Sequence, residues 1–223
     1  MQKFDTPAPV STVLDIPAGR IRFIAADRGY TTVEVLPVDA SKSRDVKAAE
    51  QIETTYDDGV LRITAPEAKN RILGHSGSVE ITVQLPAGSH VEAKAAAAEL
   101  RGVGRLGDVV FEAAQGSVKL DETQNARLTL LAGDLTVGRL GGPAQISTQK
   151  GDLRIAEAVR GTVALRTEQG DISVGAAHGV SASLDAGTGY GRIHNTLKNA
   201  DGAGAGLTIH ATTGQGDITA RSL

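Results

Sequence analysis

A five-residue phrase returns every 17 to 19 residues through the second half of the chain. Its clearest copies are Gly133–Val137, Gly151–Ile155 and Gly170–Val174, each reading Gly-Asp, then Leu or Ile, a polar residue, and Val or Ile. Looser copies begin at Gly116 and Gly216. A fixed period of this length is typical of units that cannot bury an apolar face alone and therefore stack on copies of themselves. The repeat predicts a solenoid.

Alternating apolar and polar residues flank the glycine of each unit. Around Gly151, for example, Ala144 and Ile146 precede the glycine, and Leu153 and Ile155 follow it, with mostly polar residues between them. Alternation with a period of two indicates a strand with one buried face, and the glycine between two such stretches indicates a corner. Each unit is therefore predicted to be one coil of two strands, with the apolar residues of successive coils sharing a core.

The predicted corners define about seven coils within residues 89–223. They fall at Ala98, Gly116, Gly133, Gly151, Gly170, Gly189 and Gly214. In the last two coils the apolar alternation favours Gly189 and Gly214, so that Tyr190-Gly191 and Gln215-Gly216 are interpreted as two-residue insertions. The long interval between these coils contains Asn195–Gly206, which is predicted to be a protruding loop.

Residues 1–88 are predicted to be β as well, but they lack the repeat. Strands are predicted at Val10–Ile16, Arg20–Ala25, Thr31–Pro37, Ile52–Tyr56, Val60–Ala65 and Ser78–Leu85. Ser43–Gln51 is the one plausible helix. Because the ends of a solenoid need a cover, residues 1–88 are expected to cap the first coil. The predicted fold is all-β: a single-stranded, β-helix-like β-solenoid, with right-handed winding favoured, and an N-terminal antiparallel strand cap.

The Gly-Asp-Leu/Ile-x-Val/Ile coils, together with the Ile-Pro-Ala-Gly-x-Ile stretch from Ile16 to Ile21, resemble a known family. This is the bacterial β-strand-repeat family labelled putative adhesin. The resemblance covers roughly Val10 to Ala220. It implies a β-helix-like solenoid and an adhesin-like role, and it brings no catalytic residues with it.

Composition and charge exclude several classes of function. The 23 Lys and Arg are dispersed and outnumbered by 26 Asp and Glu, which argues against a nucleic-acid surface. The absence of cysteine excludes thiol catalysis and cysteine zinc sites. No stretch approaches the roughly 20 apolar residues that span a bilayer, and the N-terminus lacks the apolar run of a secretory signal. We therefore expect no membrane insertion and a cytoplasmic location.

The repeated aspartates Asp134, Asp152, Asp171 and Asp217 are the first candidates for a metal site. Stacked corners would place the carboxylates of the first three about 5 Å apart, a spacing that could hold Ca²⁺. An Asp after Gly also accepts hydrogen bonds from turn N–H groups, and the glycine-rich nonapeptide of calcium-binding β-rolls is absent. We expect the aspartates to be structural, with no metal and no cofactor.

Three histidines, His178, His194 and His210, are spaced 16 residues apart. They occupy different positions of the unit and should not converge on a metal. Tyr190, His194 and Asn195 form the one locally unusual patch, beside the predicted loop. Because loops on a rigid scaffold often carry binding, these three are the candidate binding residues.

The sequence favours a non-enzymatic interaction or scaffold module that binds an unidentified protein or glycan partner. The alternative is a solenoid enzyme. A hexapeptide-type acyltransferase is suggested by inward apolar positions about six residues apart. A carbohydrate-active β-helix would need aromatic platforms, and the chain has only three Phe, three Tyr and no Trp. The last coil, Asp217–Leu223, lacks an evident cap, which predicts a possible homodimer through the C-terminal coil.

Overall fold

The computed structural model describes residues 1–66 and 77–223. The elements of the first part are β1 (Gln2–Asp5), β2 (Ser11–Ala26), β3 (Tyr30–Pro37), α1 (Ser43–Glu50), β4 (Glu53–Asp57), β5 (Val60–Thr64) and β6 (Val79–Pro86). The strands of the second part are β7 (His90–Ala132), β8 (Leu135–Leu140), β9 (Ala144–Lys150), β10 (Leu153–Ala158), β11 (Gly161–Gln169), β12 (Ile172–Ala176), β13 (Ala182–Tyr190), β14 (Ile193–Thr196), β15 (Leu207–Gln215) and β16 (Ile218–Ser222). The prediction of an all-β chain is confirmed.

Each coil has two strands that meet at a corner; leg A precedes the corner and leg B follows it. β9 and β11 pair in parallel along leg A, with Ile146 beside Leu165. β10 and β12 pair in parallel along leg B, with Leu153 beside Ile172. These apolar side chains are all buried in one continuous core. The predicted solenoid, with aliphatic side chains pointing inward from stacked coils, is confirmed.

Glycine allows the corners to stack closely. Gly151 has a φ of +141°, and a Cβ at this position would lie against the carbonyl oxygen of Gly133, far inside van der Waals contact. Inward threonines then satisfy the corner carbonyls. The Thr167 hydroxyl donates to the carbonyl oxygen of Gly151 at 3.1 Å, and the Thr213 hydroxyl donates to that of Gly170 at 3.0 Å. The core therefore tolerates these buried hydroxyls, because each one has a backbone partner.

The last coils of the chain do not stack in chain order. β15 pairs in parallel with β11 on one edge and with β13 on the other. β16 likewise lies between β12 and β14. The coil of residues 207–222 is therefore inserted between the coil of residues 161–176 and that of residues 182–196. The last layer of the stack is the coil of residues 182–196, which we call the terminal coil.

The pairing of the inserted coil with its neighbours shows that two of the predicted corners are misplaced. Gly216 stacks on Gly170, and Gly191 stacks on Gly216, so the prediction of corners at Gly189 and Gly214 is wrong. Tyr190 and Gln215 are ordinary last residues of leg A and not insertions, since they pair with one another. The prediction failed because leg A of these two coils begins with an additional apolar residue, Ala182 or Leu207, at the position that Gly161 occupies in the preceding coil. This residue shifted the predicted alternation, and with it the corner, by two residues.

The same pairing contradicts the assumption behind the predicted homodimer through the C-terminal coil. That prediction assumed that Asp217–Leu223 lies at an uncovered end. β16 has a neighbour on each edge, so this segment lies inside the stack.

The first part of the chain continues the stack and also covers it. β2 runs parallel to the start of β7 through both legs, and β5 and β6 add in parallel to the two halves of β2. β3 and β1 then extend β6 with antiparallel pairing, and β4 does the same for β5. The helix predicted at Ser43–Gln51 is confirmed as α1, which contacts β3 and β6. The division between residues 88 and 89 stays a prediction.

No helix in the described ranges has both the length and the apolar character that a bilayer span requires.

Candidate binding site on the terminal coil

All three predicted binding residues lie on the terminal coil. Tyr190 ends β13 with 78% of its surface exposed. His194 and Asn195 are neighbours in β14, and both are exposed. Successive residues of a strand point to opposite sides. His194 therefore faces outward while Asn195 occupies an inward position, and the structure brings the three together on one coil but not on one surface.

The outer edge of the terminal coil is its most distinctive feature. β13 pairs only with β15, and β14 pairs only with β16, among the strands of the described ranges. The backbone N–H and C=O groups on their outer edges therefore have no strand partner there. At the opposite end the described strands finish in β1 and β4, which are antiparallel to their single neighbours, and α1 contacts β3 and β6. The two ends of the molecule thus differ in the direction of their edge strands, which are parallel to their neighbours only on the terminal coil.

Apolar side chains that are covered in the inner coils are partly open on the terminal coil. Ile193 is 46% exposed, whereas Ile172 and Ile218, at the same position of inner coils, are each 1% exposed. Leu184 and Ala186 of β13 are half-buried. The end of the stack therefore offers a strip of aliphatic surface beside the free strand edges.

Asn195 shows that the sequence of this coil suits a terminal layer. It pairs with Ala220, which pairs with Val174, so Asn195 stands where the inner coils have an apolar residue. Its side-chain oxygen accepts a hydrogen bond from the backbone N–H of Leu197 at 3.0 Å. Buried between two coils, this amide would lose contact with water, which is costly. At the end of the stack it remains exposed.

The aspartates of the corners form a ladder of hydrogen bonds. One carboxylate oxygen of each accepts the backbone N–H of the aligned residue in the next coil. The rungs run from Asp152 N to Asp134 (2.9 Å), Asp171 N to Asp152 (2.8 Å), Asp217 N to Asp171 (2.7 Å) and Arg192 N to Asp217 (2.8 Å). The carboxylates thus accept backbone N–H groups, as the structural interpretation expects, but each N–H belongs to the next coil and not to the same turn. Within the described ranges, no three His, Asp or Glu side chains cluster as metal ligands would.

Arg192 ends the ladder. Its guanidinium donates to Oδ2 of Asp217 at 2.8 Å, which lowers the pKa of the Asp217 carboxyl and raises the pKa of Arg192. An arginine at this position offers no carboxylate oxygen to a further coil. The ladder therefore closes at the terminal coil. In the sequence Arg192 interrupts the series of repeated aspartates, but its pairing with Asp217 was not predicted.

The histidines do not converge. His178, His194 and His210 are all exposed at separate places, as their different positions in the repeat predicted. Nδ1 of His210 lies 3.3 Å from Oδ2 of Asp185 across the β15–β13 pair. This exposed pair borders the terminal coil, and sequence analysis did not identify it because its members are 25 residues apart in the chain.

A shallow depression of about 400 Å³ lies on leg A, away from the terminal coil. Its polar lining includes Asp108, Asn125 and Arg127. The Asn125 amide donates to Asp108 at 2.6 Å, so these two groups satisfy one another. The described lining holds no hydroxyl or thiol nucleophile beside a base.

Comparison with solved structures identifies the same fold in two proteins described as putative adhesins. The one from Bacteroides fragilis is 14% identical with a TM-score of 0.62, and the alignment covers 98% of this chain and 95% of that chain. The one from Parabacteroides distasonis is 17% identical with a TM-score of 0.50, with the same shares covered. At these identities the likeness shows the fold alone.

Comparison with curated proteins gave no match. The model of the family described as Toastrack DUF4097 matches residues 13–222, which is nearly the whole solenoid and its cap, and the chain belongs to that family.

Proposed function

We propose that this protein is a non-enzymatic interaction module that binds a partner protein through the terminal coil. In this proposal an extended segment of the partner adds to the free edges of β13 and β14. The observation that carries the proposal is that β13 and β14 each have one strand neighbour among the described strands, beside an Ile193 side chain that is 46% exposed.

Strand addition draws its affinity from main-chain hydrogen bonds and its specificity from pockets for alternate side chains. β13 offers nine residues of edge and β14 offers four. The half-buried Leu184 and the exposed part of Ile193 would contact alternate apolar residues of the added segment. Tyr190 and His194 would contact its flanks.

A protein partner is favoured over a glycan by the chemistry of this end. Sugars are commonly held against Phe, Tyr or Trp rings, and Tyr190 is the one such ring on the terminal coil. Unpaired backbone and aliphatic surface are what an added strand requires. The adhesin descriptions of the two solved structures agree with an interaction role but concern those proteins.

The experiment selects peptides from a displayed random library on the full-length protein and measures their affinity for two variants. Ile193→Glu places a charge on the free edge, where it opposes strand addition. Thr136→Glu places the same charge on leg B of an inner coil and serves as the control. We expect selected peptides with alternating apolar residues, bound roughly tenfold more weakly by Ile193→Glu, a change of about 1.4 kcal/mol. Thr136→Glu should bind them like the wild type.

Hydrogen exchange locates the contact. Bound peptide should protect backbone N–H groups in Ile193–Thr196, because an added strand would pair with them. Peptides that bind Ile193→Glu as well as wild type, or protection confined to other coils, would contradict the proposal. Glycans bound with dependence on Tyr190 would favour the glycan alternative instead.

A solenoid enzyme is the less supported alternative, since the depression beside Asp108, Asn125 and Arg127 shows no nucleophile paired with a base. The cytoplasmic location expected from the sequence stays a prediction, which fractionation of cells that express the natural gene product would test.

A further inference from the structure

We propose that the coil of residues 207–222, the inserted coil, exchanges between two copies of this chain, so that each copy completes the core of the other. This inference does not depend on the proposed function. It follows from the position of a chain terminus inside a stack of coils.

The inserted coil fills a slot that is lined on both sides in both legs. β15 lies between β11 and β13, and β16 lies between β12 and β14. Its inward apolar side chains are all buried: Leu207, Ile209, Ala211, Ile218 and Ala220. A copy whose own coil has not yet docked would therefore present the apolar edge formed by β11 and β12, in matching register. Its terminal coil, which pairs only with the inserted coil, would dock after that edge is filled.

The contacts of the inserted coil are the repeated contacts of the stack. On one side, the Thr213 hydroxyl donates to Gly170 and the Asp217 N–H donates to Asp171. On the other side, Asp217 accepts the N–H of Arg192. A second copy supplies the same groups in the same order. Exchange therefore preserves every one of these contacts.

The connection to the inserted coil is long enough to permit exchange. Residues 197–206 (LKNADGAGAG) include three glycines. Residues 198–202 are all exposed. Several of their hydrogen bonds to the coils are exposed and involve serine hydroxyls, such as the Asp201 N–H to the Ser181 hydroxyl at 3.1 Å and the Lys198 N–H to the Ser222 hydroxyl at 2.9 Å. Ten residues can span up to about 33–36 Å, which reaches a slot in an adjacent copy.

Concentration decides between the two forms, because the contacts are the same in both. A short flexible connection gives its own coil an effective concentration in the mM range. We therefore expect monomers after folding at micromolar concentration, and exchanged dimers after folding at about 0.5 mM. In such a dimer each terminal coil rests on the partner's inserted coil, so the candidate binding site is built from two chains.

The test uses the absence of cysteine from the chain. Arg166 and Thr212 are exposed register partners in β11 and β15. Full-length Arg166→Cys and Thr212→Cys are unfolded, mixed, refolded together and oxidised. Exchange brings the two thiols of different chains into register. We expect a disulfide-linked heterodimer whose share, while minor, rises roughly tenfold for each tenfold increase in protein concentration.

The control pairs Ser147→Cys with Arg166→Cys, which are register partners in β9 and β11 and do not exchange. The double variant with Arg166→Cys and Thr212→Cys in one chain should close an internal disulfide at low concentration. Heterodimer no more abundant than in the control would overturn the proposal. A second measurement needs no disulfide: wild-type protein refolded at about 0.5 mM and then diluted should retain dimers on gel filtration until it is unfolded again. Elution as monomer alone would also overturn the proposal.

Discussion

The backbone N–H of Arg192 donates to Oδ1 of Asp217, and the guanidinium of the same arginine donates to Oδ2, each at 2.8 Å. The first contact is the last rung of the aspartate ladder. In the second contact, the terminal coil donates a hydrogen bond to the other oxygen of the same carboxylate. Together they mark the coil of residues 182–196 as a closing layer, although it is not the last coil in the chain.

The ion pair between Arg192 and Asp217 should make the thermal stability of the protein depend on pH in the acid range. The Arg192 side chain lowers the pKa of Asp217 in the folded protein. The stabilising contribution is therefore present above the unfolded pKa of Asp, about 3.9, and is lost as the pH falls through the folded pKa. We expect Arg192→Ala to lower the melting temperature at about pH 6, with a difference from wild type that shrinks toward about pH 2.5.

Thermal unfolding followed by circular dichroism across this range measures the effect. Arg154→Ala removes an exposed cation from leg B of an inner coil and serves as the control. If Arg192→Ala lowers the melting temperature by the same amount at about pH 6 and at about pH 2.5, the arginine acts through packing and not through the Asp217 charge.

The order of the coils predicts that polar substitution destabilises the protein at position 220 and that an apolar substitution is tolerated at the aligned position 195. Ala220 is buried in the inserted coil, whereas Asn195 is exposed on the terminal coil beside it. Ala220→Asn places an amide between two coils, and we expect a loss of about 1–3 kcal/mol in the free energy of unfolding. Asn195→Ala should change it by less than about 1 kcal/mol, the size of its one hydrogen bond to Leu197. Denaturant unfolding measures both, and equal losses would place residues 207–222 at the end of the stack.

The sequence predicted the coil but not the order of the coils. Its period follows from inward residues such as Leu153 and Ile172, which any stacking order would bury. The order was not predictable from the period because each layer offers the same rungs, so a coil fits on any neighbour. Two residues carried the missing information. Asn195 at an inward position and Arg192 in place of an aspartate both suit a layer with one open side.

The candidate site was located in part. Tyr190, His194 and Asn195 were singled out as an irregular patch, and they lie on the terminal coil. The free strand edges and the exposed Ile193 were not foreseen. An edge is a property of pairing between distant segments, and the β13–β15 pair joins residues 25 positions apart. No local pattern reports which strand lacks a second neighbour.

The core should respond sharply to charge at an inward position. Leu153 is 1% exposed, and the next residue, Arg154, points to solvent. We expect Leu153→Asp to abolish cooperative unfolding, because an ionised carboxylate would stand between two apolar layers. Arg154→Asp adds the same side chain one residue away and should leave a cooperative transition. A normal melting curve for Leu153→Asp would contradict the inward assignment.

Adding a single methyl group at a corner glycine should destabilise the protein. Gly151 has a φ of +141°, and an added Cβ would meet the carbonyl oxygen of Gly133. Alanine there requires both a strained backbone and a displaced coil, so we expect a loss of at least about 3 kcal/mol. For a chain of this size that corresponds to a fall of roughly 6–12 °C in melting temperature.

Gly187→Ala is the matched control, since nothing lies within 4 Å of its added Cβ. Its melting temperature should stay the same or rise slightly, because alanine restricts the unfolded chain more than glycine does. Equal melting temperatures for the two variants would mean that the coils can separate at the corner without cost, which the unbroken aspartate ladder beside Gly151 argues against.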